Sequence, residues 1–127
     1  TERVIRAIRH PSCTMIGHLT GRLLLQRDSY PMEVEAILKE AARTGTMIEI
    51  NANPHRLDLD WIHCKRAKNL GVMMVINPDA HSTEGYADMR YGVSTARRGW
   101  LEAKHVFNTL PAKEVAKRFA EMKARKR

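Results

Sequence analysis

Asp79-Ala80-His81 follows two residues after the apolar run Val72-Met73-Met74-Val75-Ile76 and its Asn77. A buried strand that ends in Asp-x-His delivers a carboxylate and an imidazole to the rim of a sheet, because residues two apart on extended backbone share a side. A hard oxygen donor beside a borderline nitrogen donor suits Zn, Mn or Fe. Asp-x-His by itself is a weak pattern. It gains weight from a second strand-end imidazole, His18 after Gly17, and from a third polar strand end, Glu49-Ile50-Asn51-Ala52-Asn53-Pro54-His55. His18, Asp79 and His81 are therefore the candidate metal ligands, with loop capping as the other reading of His18.

The supporting polar groups each have two readings. Glu49, inside an apolar strand, bridges metals or orients a ligand, or it pairs with an Arg or Lys. Asn51, Asn53 and Arg56 suit phosphate recognition, although Asn is also a routine turn residue. Arg97-Arg98 can grip phosphate oxygens in a fork geometry or pair with surface acids. Ser82 orders the loop behind Asp79. His10, His55, His63 and His105 read as helix-end, loop, mid-helix and surface residues.

The elements that position these groups alternate between strand and helix. Thr1–Arg9 reads as a helix closed by His10-Pro11, and Cys13–Gly17 as a short strand. Pro31–Arg43 carries Val34, Ile37, Leu38 and Ala41 at helical spacing and is stopped by Gly45. Thr46–Ile50 is the next strand, and Asp58 or Asp60 caps a helix running through Leu70. Val72–Ile76 is apolar without alternation, as a parallel strand covered on both faces must be. Tyr91–Ala96 reads as a last short strand. Pro111–Lys126 is a helix with Val115, Phe119 and Met122 inward. The pattern predicts an α/β fold of about three to four parallel strands with flanking helices, either an open sheet or a piece of a (β/α) barrel. In both, the loops after the strands form the active rim.

The 127 residues suit a single domain, 1–127, with a core of its own. No apolar run reaches the length of a membrane span. Two cysteines, Cys13 and Cys64, match no zinc or redox spacing and fit free thiols in a reducing cytoplasm. Of the formal net charge of +8, residues 112–127 carry seven Lys/Arg against Glu114 and Glu121. Such a basic tail contacts nucleic-acid phosphates or forms a solvated helix face. No Walker loop, nucleophile elbow or dinucleotide fingerprint occurs.

Four stretches in order and spacing resemble the C-terminal portion of the PHP (polymerase and histidinol phosphatase) domain, in the subgroup appended to bacterial family X DNA polymerases. They are Gly17-His18-Leu19-Thr20-Gly21-Arg22, the segment from Glu49 to Leu59, Asn77-Pro78-Asp79-Ala80-His81-Ser82 and the segment from Tyr91 to Trp100. The resemblance implies part of a (β/α) barrel holding Mn or Zn, phosphoester hydrolysis, and 3′–5′ exonuclease or 3′-end processing in DNA repair. It implies that His18 matches the histidine of the family's third motif, and Asp79 and His81 those of its fourth. The family's opening His-x-His, its second-motif histidine and its upstream bridging glutamate are absent, as is the polymerase domain. Leu19 stands for a usual proline and Pro78 for a usual threonine. An isolated segment of this kind is expected to lack activity, and to bind metal incompletely or not at all. Its open edges and apolar interior face are expected to pair in a homodimer or higher oligomer.

Overall fold

The computed structural model describes residues 1–126. Arg127, the last cation of the basic tail, lies outside the described residues. Three parallel strands, β1 (Met15–Ile16), β2 (Met47–Asn51) and β3 (Met74–Asn77), form one open sheet in that order. Ile16 pairs with Ile48, and Ile48, Ile50 and Asn51 pair with Met74, Ile76 and Asn77. The helices are α1 (Glu2–Arg9), α2 (Val34–Thr44), α3 (Trp61–Asn69), α4 (Met89–Arg98) and α5 (Ala112–Arg125). The architecture is α/β, as expected, and the sheet is open rather than closed into a barrel.

Alternation along β2 assigns the two faces. Ile48 and Ile50, with Met74 and Ile76 from β3, join Ile8, Ile37, Leu38, Ala41, Ala67 and Ala96 from the first four helices in the larger core. On the other face Met47 and Val75 meet Phe107 and Met122, with Met15, Val115 and Phe119 packed around them. The α5 helix thus covers the N-terminal half of that face, with Phe119 tilted against Phe107 at 5.4 Å between ring centroids. The inward set expected for this helix is the one observed. Its end is fastened too: Lys126 donates to the carbonyls of His10 and Cys13. The C-terminal half of the same face carries Glu49, Asn51 and Asn77 and is polar.

Residues Tyr91–Ala96 lie in α4 and form no strand. Two interactions outweigh the β-preference of Val93 and Thr95. Gly92 lets the helix sit directly on the sheet, since a Cβ there would fall 2.5 Å from Ile76 and 2.7 Å from Ala52. Ser94 and Thr95 donate to the carbonyls of Arg90 and Tyr91 one turn back, so their hydroxyls are satisfied within the helix. The strand position beside β3 is taken instead by Val106, in a parallel bridge with Met74. Asn108 continues it: its side-chain amide donates to the Ile76 carbonyl at 2.9 Å, and its Oδ1 accepts from the Ile76 N–H at 2.8 Å. One asparagine thereby closes an edge that was expected to be open.

Of the two candidate caps of α3, Asp60 is the one used. Its Oδ1 accepts from the N–H groups of Ile62 and His63 at 2.9 and 3.0 Å. His63 sits in the first turn rather than mid-helix, and its Nδ1 lies 2.6 Å from Asp60 Oδ2. Asp58 is fully buried and serves another purpose: Oδ2 accepts from Thr20 N–H at 3.0 Å and Gly21 N–H at 2.9 Å, tying the loop after β1 to the loop after β2. Both cysteines are free, and burial pushes the Cys64 thiol well above its usual range, which makes it an inert core group. No described helix is long and apolar enough to cross a membrane.

Asp58 is buried and Asp60 half-buried, and each makes a testable contribution. Asp58→Ala strands two buried N–H donors and is expected to cost about 2–4 kcal/mol in urea unfolding, whereas Asp58→Asn keeps an acceptor and costs less. For the α3 cap, burial pushes Asp60 up, but the His63 hydrogen bonds outweigh it and hold the carboxyl at about 2, below the ordinary 3.8. Its contribution is present above pH 3.8 and is lost as pH falls toward 2. The hydrogen bond that the His63 ring donates to Asp60 raises His63 above its ordinary 6.5, so that contribution is complete below 6.5 and fades as pH rises through the raised value. Thermal unfolding across pH is expected to show both limbs in the unmodified chain, and His63→Ala to flatten the alkaline one.

Candidate active site

The loops after the three strands meet at the C-terminal end of the sheet, and each holds a non-glycine residue at positive φ: His18 at 29°, Leu57 at 45° and Asp79 at 55°. Side chains rarely adopt this region, and strain of this kind gathers where a site dictates geometry. Beneath the loops lies Glu49, 8% exposed. Its Oε2 accepts from the backbone N–H of His18 at 2.6 Å and from Asn51 Nδ2 at 3.3 Å, and its Oε1 accepts from Asn77 Nδ2 at 2.8 Å. Among the described residues the carboxylate pairs with neither Arg nor Lys, and neutral donors from all three strand ends satisfy it. Gly17 makes room for this contact, because a Cβ there would lie 3.3 Å from Oε2.

A cleft of about 300 Å³ opens between the loops after β2 and β3. Asn53, His55, Asp79, His81 and Asp88 are among its lining residues. Asp79 Oδ2 lies 3.4 Å from Arg56 Nε, a half-buried ion pair. The ring of His81 is oriented by Nδ1, 2.7 Å from the Asp79 carbonyl. A carbonyl oxygen only accepts, so Nδ1 carries the proton of this hydrogen bond and Nε2 is the ring nitrogen it leaves available. Asn51 Oδ1 accepts from the N–H of Asn53, and Asn53 Oδ1 from that of His55, so the polar run behind β2 is a ladder of turns that delivers His55 to the cleft. Arg22 donates to the carbonyls of Arg56 and Leu57, fastening the loop after β1 alongside.

The predicted residues therefore divide. Asp79, His81 and Asn53 share the cleft, with Arg56 against Asp79. Glu49 and Asn51 lie below it as the internal hydrogen-bonded support. His18 is exposed at the end of β1 and does not line the cleft; what it contributes there is its backbone N–H. Arg97 and Arg98 lie at the end of α4, away from the lining, with Arg98 over the Trp61 ring at 5.0 Å. His55 and Asp88 were not singled out from sequence. The Asn53-Pro54-His55 turn was the available signal for the first; nothing local marked the second.

Among the described residues, no group of three or more His, Cys, Asp or Glu is arranged to hold a metal ion. The Asp79 carboxylate already has a cation beside it in Arg56. The donor set thus falls short of a metal centre among the described residues; the acceptor-only Asp79 suits a cation, while the Arg56 guanidinium beside it and the Asn53 amide are the donors that suit phosphoester oxygens.

No protein-family profile matches the chain. It is 41% identical over 114 residues to the DNA polymerase/3'-5' exonuclease PolX of Bacillus subtilis (strain 168), a match covering 90% of the chain and 20% of that protein. It is 26% identical over 115 residues to a probable phosphatase of Thermoanaerobacter sp. (strain X514), covering 86% of the chain and 44% of the phosphatase. A probable phosphatase of Caldanaerobacter subterraneus subsp. tengcongensis is 30% identical over 87 residues, 64% of the chain and 32% of the relative. The chain spans a fifth of the polymerase/exonuclease's length and less than half of either phosphatase's. The resemblance read from the four motifs therefore holds over nearly the whole chain, which is related to one segment of the bacterial PolX polymerase/3′-5′ exonucleases and, more distantly, to probable phosphatases.

Proposed function

We propose that the chain is the rim-bearing segment of a cytoplasmic phosphoesterase of the polymerase-and-histidinol-phosphatase type, using Mn or Zn and acting on DNA 3′ ends in repair as a 3′–5′ exonuclease. The observation that carries this reading is the cleft in which Asp79 and His81, from behind β3, face Asn53 and His55, from behind β2. It lies at the strand C-termini, where parallel α/β architectures keep their chemistry. Asp79 and the Nε2 of His81 are the groups the cleft offers to a metal, and His18, which follows β1 two strands away and outside the lining, is the third ligand that the family resemblance would add. A metal bound there would supply an activated water and charge for the phosphoryl oxygens. Asn53 and Arg56 are the groups suited to orienting the phosphate.

A hydrolytic metal needs about three protein ligands and an open position. The 127 residues alone bind metal weakly in this reading and do not turn over, because the described residues bring no three His, Cys, Asp or Glu groups together around one ion. The second reading is a non-catalytic remnant that forms oligomers or binds DNA through its basic C-terminal helix. The cations of α5 support it, and so does β1, which has no strand beyond it among the described residues.

Metal titration separates the two. In the hydrolase-segment reading Mn²⁺ binds weakly, and Arg56→Ala tightens it by up to about fivefold, since a solvated ion pair is worth up to about 1 kcal/mol. Asp79→Ala and His81→Ala remove it, and 3′-labelled DNA stays uncut throughout. Stoichiometric metal with turnover that Asp79→Ala abolishes would instead show a complete site in this chain. Metal binding indifferent to Asp79→Ala and His81→Ala would leave the remnant reading.

A further inference from the structure

The chain has two tryptophans, Trp61 and Trp100, and both lie on one surface, away from the Asp79 cleft. Trp61 and Lys65 are one turn apart on α3 and so share a face. Arg98 stands over the Trp61 ring at 5.0 Å, and Lys65 over the Trp100 ring at 5.2 Å. Lys68 donates to the Trp100 carbonyl at 2.9 Å. The end of α4 is pressed onto the first turns of α3 at Gly99, where a Cβ would lie 3.0 Å from Cys64 Cβ and 3.1 Å from the Trp61 carbonyl. A cleft of about 480 Å³ opens beside Trp61, Ile62 and Arg98.

Trp100 itself is the anomaly. The α4 helix closes with a bond from Leu101 N–H to the Ala96 carbonyl at 3.0 Å, the wrap-around ending in which the left-handed residue is usually Gly. Here the left-handed residue is Trp100, at φ 63°, while Gly99 sits at φ −78°. A bulky side chain is strained in that conformation. Burial does not compensate for it, because Trp100 is 69% exposed, and neighbouring Ile62 is 59% exposed. Neither backbone preference nor packing accounts for an indole at this position.

The charge around it is one-sided. Lys65, Lys68 and Arg98 form no ion pair among the described residues, and Asp60, the acid lining the adjacent cleft, is engaged by His63 at 2.6 Å. An exposed aromatic face beside unpaired cations, here Trp100 with the half-buried Trp61 behind Arg98, is what an unpaired base and its phosphates require: the ring stacks, and the cations track the backbone. We propose that this surface binds single-stranded nucleic acid, with a base stacked on the free face of Trp100 and phosphates held by Lys65, Lys68 and Arg98. The assignment does not depend on whether the Asp79 cleft hydrolyses anything.

Because both tryptophans lie here, indole emission reports this surface alone. The full chain is titrated at low salt with a single-stranded oligo-dT, an abasic strand of equal length and the corresponding duplex. The expected result is a change of emission on binding oligo-dT, and weaker binding of both other probes. Trp100→Gly places the residue the helix ending favours, so its thermal midpoint holds or rises. Its oligo-dT affinity, measured by anisotropy of the labelled strand, falls about tenfold, within the range expected for one stacked base. Lys65→Gln reduces the salt dependence by about 0.7 in the log–log slope. Equal affinity for the abasic strand, or undiminished affinity in folded Trp100→Gly, overturns the proposal. Binding lost only in Lys117→Gln/Lys123→Gln overturns it as well and moves the contact to α5.

Discussion

The rim of this protein rests on one buried carboxylate. Glu49 lies on the central strand and receives a hydrogen bond from the end of each strand: the His18 N–H, the Asn51 amide and the Asn77 amide. Removing a carboxylate from water is costly unless its oxygens are satisfied, and here amides rather than a counter-charge satisfy them. That choice fixes geometry. The donors are short and rigid, so the loops carrying His18 and Asp79 cannot drift apart without leaving an acceptor bare. Gly17 is part of the same arrangement, since a side chain there would crowd Oε2.

The two halves of the sheet face that carries Glu49 have different chemistry and different covers. Toward the strand N-termini, Met47 and Val75 are sealed by α5 and Phe107. Toward the C-termini the same face turns polar and leads to the cleft. A basic helix thus serves the fold on one side while its cations remain in solvent on the other. Asn108, by pairing with both backbone groups of Ile76, ends the sheet without another full strand. The result is a stable platform beneath three strained loops, the combination in which strain can be held for function.

Much of this was legible in the sequence. Periodicity marked α2 and α5, Gly45 ended α2 in the left-handed conformation at φ 76°, and the unalternating run from Val72 identified a strand covered on both faces. The grouping of Asp79, His81 and Asn53 followed from placing strand ends side by side. What sequence could not supply was long-range. Tyr91–Ala96 looked extended by composition, but Gly92 meeting Ala52 and Ile76 made it a helix. Asp58 and Asp60 were equal candidates for a cap until the buried amides of Thr20 and Gly21 claimed Asp58. His18 was legible as a motif residue, yet its backbone rather than its ring is what the described structure uses. His55 entered the cleft through a chain of asparagine turns, for which Asn53-Pro54-His55 was the one local signal.

The most direct test of this account is amide hydrogen exchange at His18. If Glu49 holds the strand ends together, the His18 N–H is protected although its residue is exposed in a loop. That protection disappears in Glu49→Leu, with faster exchange spreading to the segment 77–81. Exchange of His18 at the rate of an open loop in the unmodified chain would contradict the central role given to Glu49.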